Sequence, residues 1–245
     1  MLSENELVRY DRQILIEGFG EEGQEKLKKA KVFIAGSGGL GSPVSIYLAA
    51  AGLGTIRIVD CDNVELSNLN RQVLHWSSDI GKGKVNSAAD KLGDLNPYIR
   101  IEAIKETINE SNISQLVGDA DVIVDAMDNL ETRHLLNRLS LKKNIPFFHG
   151  AVRGLEGRVS TFIPGQTACF ACMYGIALPE QKFPILGTTA AIVGSIQATE
   201  VIKYITGLGK LLLNRLLVYN GLTMEFNEFK ISKNPECKQC IPQDG

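Results

Sequence analysis

Apolar positions along the chain fall in short runs separated by longer amphipathic stretches. KVFIAG (31–36), TIRIVD (55–60), IRIEAI (99–104), ADVIVDA (120–126) and IPFFHG (145–150) each read as a buried strand. Between them, Pro43 to Ala51, Lys82 to Leu95 and Leu130 to Lys143 carry helical periodicity. Pro43 is tolerable in a first helical turn, and Asn96-Pro97 stops the second helix. Strands alternating with helices of this length predict βαβ units and a parallel sheet. Residues 1–30 read as polar helix, with Leu7, Ile14, Leu15 and Phe19 available to dock on an edge. After Gly150 the pattern changes. GRVSTFIP and LLVYNGLTMEFNEFKI predict antiparallel strands, the second folded at NGLT, with a helix from Thr189 to Thr206 between them. The expected fold is α/β, a Rossmann-like mixed sheet with a parallel N-terminal half and antiparallel C-terminal strands.

A chain of 245 residues suits one large α/β domain and needs no disulfide staples. A formal net charge of −2 with mixed signs argues against nucleic-acid and membrane partners. No apolar run is long enough to span a bilayer, and the start MLSENELVRYDRQ is unlike a signal peptide. A soluble, cytoplasmic protein is expected. The cysteines change the picture more. Cys169, Cys172, Cys237 and Cys240 form two C-x-x-C pairs, and Cys61 stands apart. One pair alone could be a redox motif. Two pairs in a reducing compartment read as a structural, tetrahedral Zn²⁺ site tying the tail to the Cys169–Cys172 loop.

GSGGLG places Gly36, Gly38, Gly39 and Gly41 between a strand and a helix. A phosphate can approach backbone N–H groups at a helix start only where no Cβ intrudes. Asp60 ends the next strand, where a carboxylate can accept bonds from ribose hydroxyls. A nucleotide site follows. The loop after Asp60 then decides which nucleotide. Arg71 can grip phosphate oxygens in a fork, Asn68 and Gln72 supply neutral amide donors, and Lys84 follows near a helix start. Asp128, in DAMDN beyond the fourth strand, could hold Mg²⁺ through carboxylate oxygen. Each residue alone reads as a surface charge. Gathered at one rim of a sheet, they favour a triphosphate.

GSGGLGS, VDCDNVELSNLNRQ, GKGKV, DAMDN and the two cysteine pairs resemble the MoeB/ThiF/HesA family, related to the ubiquitin-activating enzymes. The resemblance runs from RYDRQ to CKQC. It implies a single adenylation domain over 1–245, with a helical arm (1–30), a nucleotide-binding half (31–150) and a half that binds carrier and zinc (151–245). It implies ATP-dependent, Mg²⁺-dependent adenylylation of the C-terminal glycine of a small ubiquitin-fold sulfur-carrier protein ending in Gly-Gly, in thiamine or molybdopterin/tungstopterin biosynthesis. A homodimer with a Cys₄ zinc site is implied as well. By position, the glycine turn with Asp60 and Asp62 would bind the nucleotide, while Asn68, Arg71, Gln72 and Lys84 handle phosphates. Asp128 would hold the metal, and Arg12 would reach into the partner subunit's site.

The chain departs from many relatives in one place. It has no cysteine between Cys172 and Cys237, and Glu180 stands about where one is expected. Cys61 lies between Asp60 and Asp62, whose negative charge disfavours a thiolate there. Adenylation without a covalent carrier adduct on this chain is therefore expected, with 177–189 acting as a mobile crossover loop. His75, just after the Arg71 loop, could touch the site, although packing is the plainer role. Trp76 reads as an anchor for that loop, and His134 and His149 find no metal-spaced partner. Arg153 and Arg158 could steer a carrier. Competing functions are an NAD-dependent oxidoreductase, which leaves the Asn68–Gln72 loop unexplained, and a non-catalytic zinc-stapled scaffold. Activation of a carboxylate on tRNA is a further alternative, which the cysteine pairs and near-neutral charge disfavour.

Overall fold

The computed structural model describes residues 1–174 and 183–240. Glu180, and with it residues 177–182 of the crossover segment, lies outside the described residues. The chain opens with α1 (Glu4–Ile14) and α2 (Gly20–Lys29), so the N-terminal helical arm is two helices. A capping box starts the first: the Glu6 amide donates to Ser3 Oγ, and the Ser3 amide donates to the Glu6 carboxylate. Next come β1 (Lys31–Ala35), α3 (Gly41–Ala50), β2 (Thr55–Val59), α4 (Lys84–Leu95) and β3 (Arg100–Ile104). Then follow α5 (Ile113–Val117), β4 (Val122–Asp125), α6 (Leu130–Lys143), β5 (Phe147–Arg153) and β6 (Glu156–Phe162). The last elements are α7 (Phe170–Met173), α8 (Gly187–Thr206), β7 (Arg215–Asn220) and β8 (Glu225–Lys230). Among the described residues no helix is long and apolar enough to cross a membrane.

All eight strands form one sheet in the order β3-β2-β1-β4-β5-β6-β7-β8. The first five pair in parallel, and β5 to β8 pair antiparallel. The mixed sheet is therefore the one the hydrophobic pattern predicts. Side-chain alternation divides its core. Val32 and Ile34 face α3, α4 and α8 through Val44, Leu48, Leu92 and Val193. Phe33 and Ala35 face α5 and α6 through Leu116, Leu135, Leu136 and Leu139. The edge strand β8 is exposed along its whole length.

Boundaries shift where the backbone has other work. The helix expected from Lys82 begins at Lys84, because the Val64 amide donates to the Lys82 carbonyl and Gly83 bridges to Asn63. The arm packs at the far end of α3 and α4. Arg9 donates to the Leu95 carbonyl (3.0 Å), Gln13 to the Ala51 carbonyl (2.8 Å), and the Asn96 amide to the Tyr10 hydroxyl (2.8 Å).

Candidate active site

The strand order reverses direction at β1, which has β2 on one side and β4 on the other. The crevice above the carboxyl ends of β1 and β4 is where doubly wound sheets take ligands. Directly after β1, Gly36 has φ +98°. A Cβ on Gly41 would stand 2.1 Å from the Gly36 carbonyl oxygen, so the turn closes only with glycine at both places. Gly38 and Gly39 are half-exposed. Their N–H groups and that of Leu40 have no hydrogen-bond partner among the described residues. Three open donors thus precede the first turn of α3, an arrangement suited to an anion.

Asp60, just beyond β2, clamps this turn. Its Oδ2 accepts from the Ser37 amide (2.8 Å) and its Oδ1 from the Asp62 amide (2.9 Å). Lys84, the first residue of α4, is buried, and its Nζ donates to Asp62 Oδ2 (2.8 Å). That bond holds the Asp62 carboxyl below the usual carboxylate range, against partial desolvation. A 3₁₀ turn at Leu66–Asn68 then carries the loop back over the glycines, its start tied by Glu65 N donating to Asn68 Oδ1 (3.1 Å). Gln72 is buried against Gly38, and its Oε1 has no partner. Arg71 lies beside Gly39 and donates to the Ser67 carbonyl (2.8 Å), with no carboxylate partner among the described residues. The first residue of α8, Gly187, packs on the backbone of Asn70 and Arg71.

Asp128 follows β4 and is exposed, with no hydrogen bond or ion pair among the described residues. Its neighbours Ala126 and Met127 border Gly36, which puts it at the same rim. Gly36 to Gly41, Asp60, Asp62, Asn68, Arg71, Gln72, Lys84 and Asp128 therefore share one edge of the sheet. Arg12 does not join them. It is exposed in the last turn of α1, which packs at the opposite end of α3.

Further residues pack beside and beneath the rim. His75 is buried, with Nε2 2.8 Å from the Ser37 carbonyl oxygen and Nδ1 2.9 Å from Ser87 Oγ. Burial pushes its pKa down, partly offset by the bond to Ser37. Trp76, expected to anchor its loop, is instead 60% exposed, with the Lys91 ammonium 4.7 Å over its ring. Beneath the rim, Asp125 is fully buried, 2.7 Å from His149 Nδ1 and 3.3 Å from Arg133 Nε. Arg133 also donates to the Met127 and Gly150 carbonyls, bracing the segment that presents Asp128. A buried acid ending an otherwise apolar strand was the available signal for this network.

The four paired cysteines converge beside the middle of α6. Sulfur separations are 3.8 Å (Cys169–Cys172), 3.7 Å (Cys169–Cys237) and 3.5 Å (Cys172–Cys240). All four sulfurs lie within 4.8 Å of one another. Zn–S bonds of about 2.3 Å in a tetrahedron require about 3.8 Å between sulfurs, so the cluster is compatible with zinc. Asn137 of α6 holds both halves: its Oδ1 accepts from the Phe170 amide (2.9 Å) and its Nδ2 donates to Gln239 Oε1 (2.6 Å).

The model of the ThiF family matches residues 10–239. The chain belongs to the ThiF family. Among similar members, the SAMP-activating enzyme E1 of Haloferax volcanii is 39% identical, with 98% of this chain and 90% of that protein covered. The molybdopterin-synthase adenylyltransferase of Escherichia coli K12 is 36% identical, with 98% of each covered. The sulfur carrier protein adenylyltransferase of Thermus thermophilus is 37% identical, covering 97% and 92%. A crystal structure of E. coli MccB with ATP superposes with a TM-score of 0.87 at 27% identity, covering 95% of this chain and 73% of that one. The ThiF fold here thus matches a protein crystallised with ATP, and its glycine turn presents open donors beside an arginine with no carboxylate partner.

Proposed function

We propose that the protein is an ATP-dependent adenylyltransferase that activates the C-terminal glycine carboxylate of a small, ubiquitin-fold sulfur-carrier protein ending in Gly-Gly. The observation that carries this is the convergence of Arg71, Lys84 and Asp128 on the rim that holds the open Gly38–Leu40 amides. The names of three similar ThiF members support the same chemistry. The donor set fits a polyphosphate: backbone N–H groups, a fork-shaped guanidinium, an ammonium and two side-chain amides.

A carrier carboxylate oxygen attacks the α-phosphorus of ATP, the bond to the bridging oxygen breaks, and pyrophosphate leaves. No protein nucleophile takes part. The chain positions the reactants and neutralises the oxygens that gain charge. The Gly38, Gly39 and Leu40 amides, Arg71 and Lys84 donate to phosphate oxygens, with Asn68 and Gln72 at the sides. The Asp60 carboxylate accepts from the ribose, and Asp62 keeps Lys84 extended toward the phosphates. Asp128 would hold Mg²⁺, which when bound withdraws charge from the phosphates. Arg12, too far to serve its own site, would complete that of a partner in a cytoplasmic homodimer. Zn²⁺ on Cys169, Cys172, Cys237 and Cys240 would be structural. The pathway served is thiamine or molybdopterin/tungstopterin cofactor synthesis.

Carrier-dependent ATP–pyrophosphate exchange tests the proposal. Arg71→Ala and Asp128→Ala should each lose at least ~10²-fold, the scale of removing one transition-state donor, while melting like the wild type. Retained exchange in both variants refutes the assignment.

A further inference from the structure

His75 has no part in the chemistry above, yet both its ring nitrogens are engaged beneath the glycine turn. We propose that His75 is a positioning residue: as a neutral imidazole protonated on Nε2, it holds the Ser37 carbonyl inward and thereby aims the Gly38 N–H at the phosphate site. The inference rests on the reading of this turn as a cradle for ATP.

The tautomer follows from the neighbours. A carbonyl oxygen only accepts, so Nε2, 2.8 Å from Ser37 O, carries the hydrogen. Nδ1 then offers a lone pair to the Ser87 hydroxyl at 2.9 Å. Ser87 Oγ in turn accepts from Lys91 Nζ at 3.0 Å, and Lys91 pairs with Asp79. Asp79 also accepts from the Trp76 amide (2.7 Å), which anchors the relay to the loop that carries Arg71. The charged groups facing the ring are Lys84 and Lys91 from α4 and Asp79 from the 3₁₀ turn at Ser77–Asp79. The two cations and burial disfavour a protonated ring, and Asp79 is already paired.

The consequence passes through one peptide plane. Ser37 N–H is fixed by Asp60 and Ser37 C=O by His75. In a trans peptide the carbonyl and the following N–H point in opposite directions. Gly38 N–H therefore points away from His75, and it has no partner among the described residues. Glycines on both sides of Ser37 leave this plane easy to rotate. Without the imidazole donor, a flip would turn an oxygen toward the phosphates in place of a hydrogen.

The test compares His75→Leu with His75→Gln, whose side-chain amide can donate to Ser37 O but does not titrate. ATP·Mg²⁺ binding by calorimetry, pyrophosphate exchange and melting temperature are measured for each variant. His75→Leu should raise Kd and KM for ATP at least tenfold, with kcat at saturating ATP within about threefold of wild type. His75→Gln should restore KM to within about threefold of wild type. A purely structural role would lower melting temperature in both variants without this KM pattern. Unchanged KM in His75→Leu overturns the inference, as does a KM in His75→Gln raised as far as that of His75→Leu. Should His75→Leu not fold, His75→Ala, which also lacks the donor, takes its place. A wild type that binds no ATP sinks the nucleotide reading and this inference together. A wild type that binds ATP alongside indifferent variants sinks only the role of His75.

Discussion

Two glycines of the same turn should fail in opposite ways when given a methyl group. At Gly41 the added Cβ falls 2.1 Å from the Gly36 oxygen and 2.9 Å from its carbon. Relief requires that carbonyl to move by about 1 Å, since C···O contacts below about 3 Å are essentially repulsive. It cannot move freely, because Gly36 is already at φ +98° and its amide is tied to the Val59 carbonyl at 2.8 Å. Overpacking of this kind costs roughly 3 kcal/mol, at the upper end of its usual range. For a chain of this size that is a fall in Tm of roughly 6–12 °C. At Gly38 the nearest atom to an added Cβ is Gln72 Nε2, at an ordinary 3.6 Å. Gly38→Ala should therefore keep its stability within about 1 kcal/mol. Its methyl, however, would stand between the open amides and Gln72, where a phosphate oxygen has to sit. ATP affinity should fall at least about tenfold, or about 1.4 kcal/mol. Differential scanning calorimetry and ATP·Mg²⁺ titration of the two variants give the assay. If Gly38→Ala melts early, or binds ATP like the wild type, the reasoning is wrong.

Other expectations follow from the same geometry. With Zn²⁺ added, the cysteine cluster should bind it and raise Tm, because binding free energy at such a site is folding free energy, and a chelator should reverse the rise and speed hydrogen exchange over 233–240. Cys61→Ser, outside the cluster, should show the same chelator-induced change as wild type. Burial depresses the pKa of His75 and of His149, so both stay neutral in the fold while unfolded histidine protonates near about pH 6.5. The unfolded chain then binds more protons, and stability present above pH 6.5 is lost as pH falls, by up to about 2.7 kcal/mol per pH unit for the two rings. Urea melts between pH 7.5 and 5.5 measure this, and a flat profile contradicts it. Mass spectrometry after turnover with ATP and carrier should find no thiol-sensitive carrier adduct, since the thiol of Cys61, although exposed, donates to the Asp62 carboxylate.

The strand–turn–helix–strand frame was readable because each piece is local: glycines after a strand, an acid at the end of the next. The cysteine cluster was readable because its spacing is strict. The Asp125–His149 pair was not, because it arises only when β4 and β5 align side by side with these residues in register. Asn137 gave no signal either: it sits in a periodic helix, and its value comes from the two segments it joins across long stretches of chain. His75 sits next to the recognisable loop, but its partners Ser37 and Ser87 are small residues that no motif marks. The short helices α5 and α7 are too brief to show a period.

The Asp60 clamp has a thermodynamic consequence. Each carboxylate oxygen holds one backbone amide, joining the turn after β1 to the loop after β2 while leaving a second lone pair on each oxygen. The two segments are thus ordered before any nucleotide arrives. Freezing a mobile residue on binding would cost about 1–2 kcal/mol of entropy, and here that cost has already been met during folding. Affinity then depends on the contacts the nucleotide itself makes, and the empty and filled forms of the rim should differ little in shape.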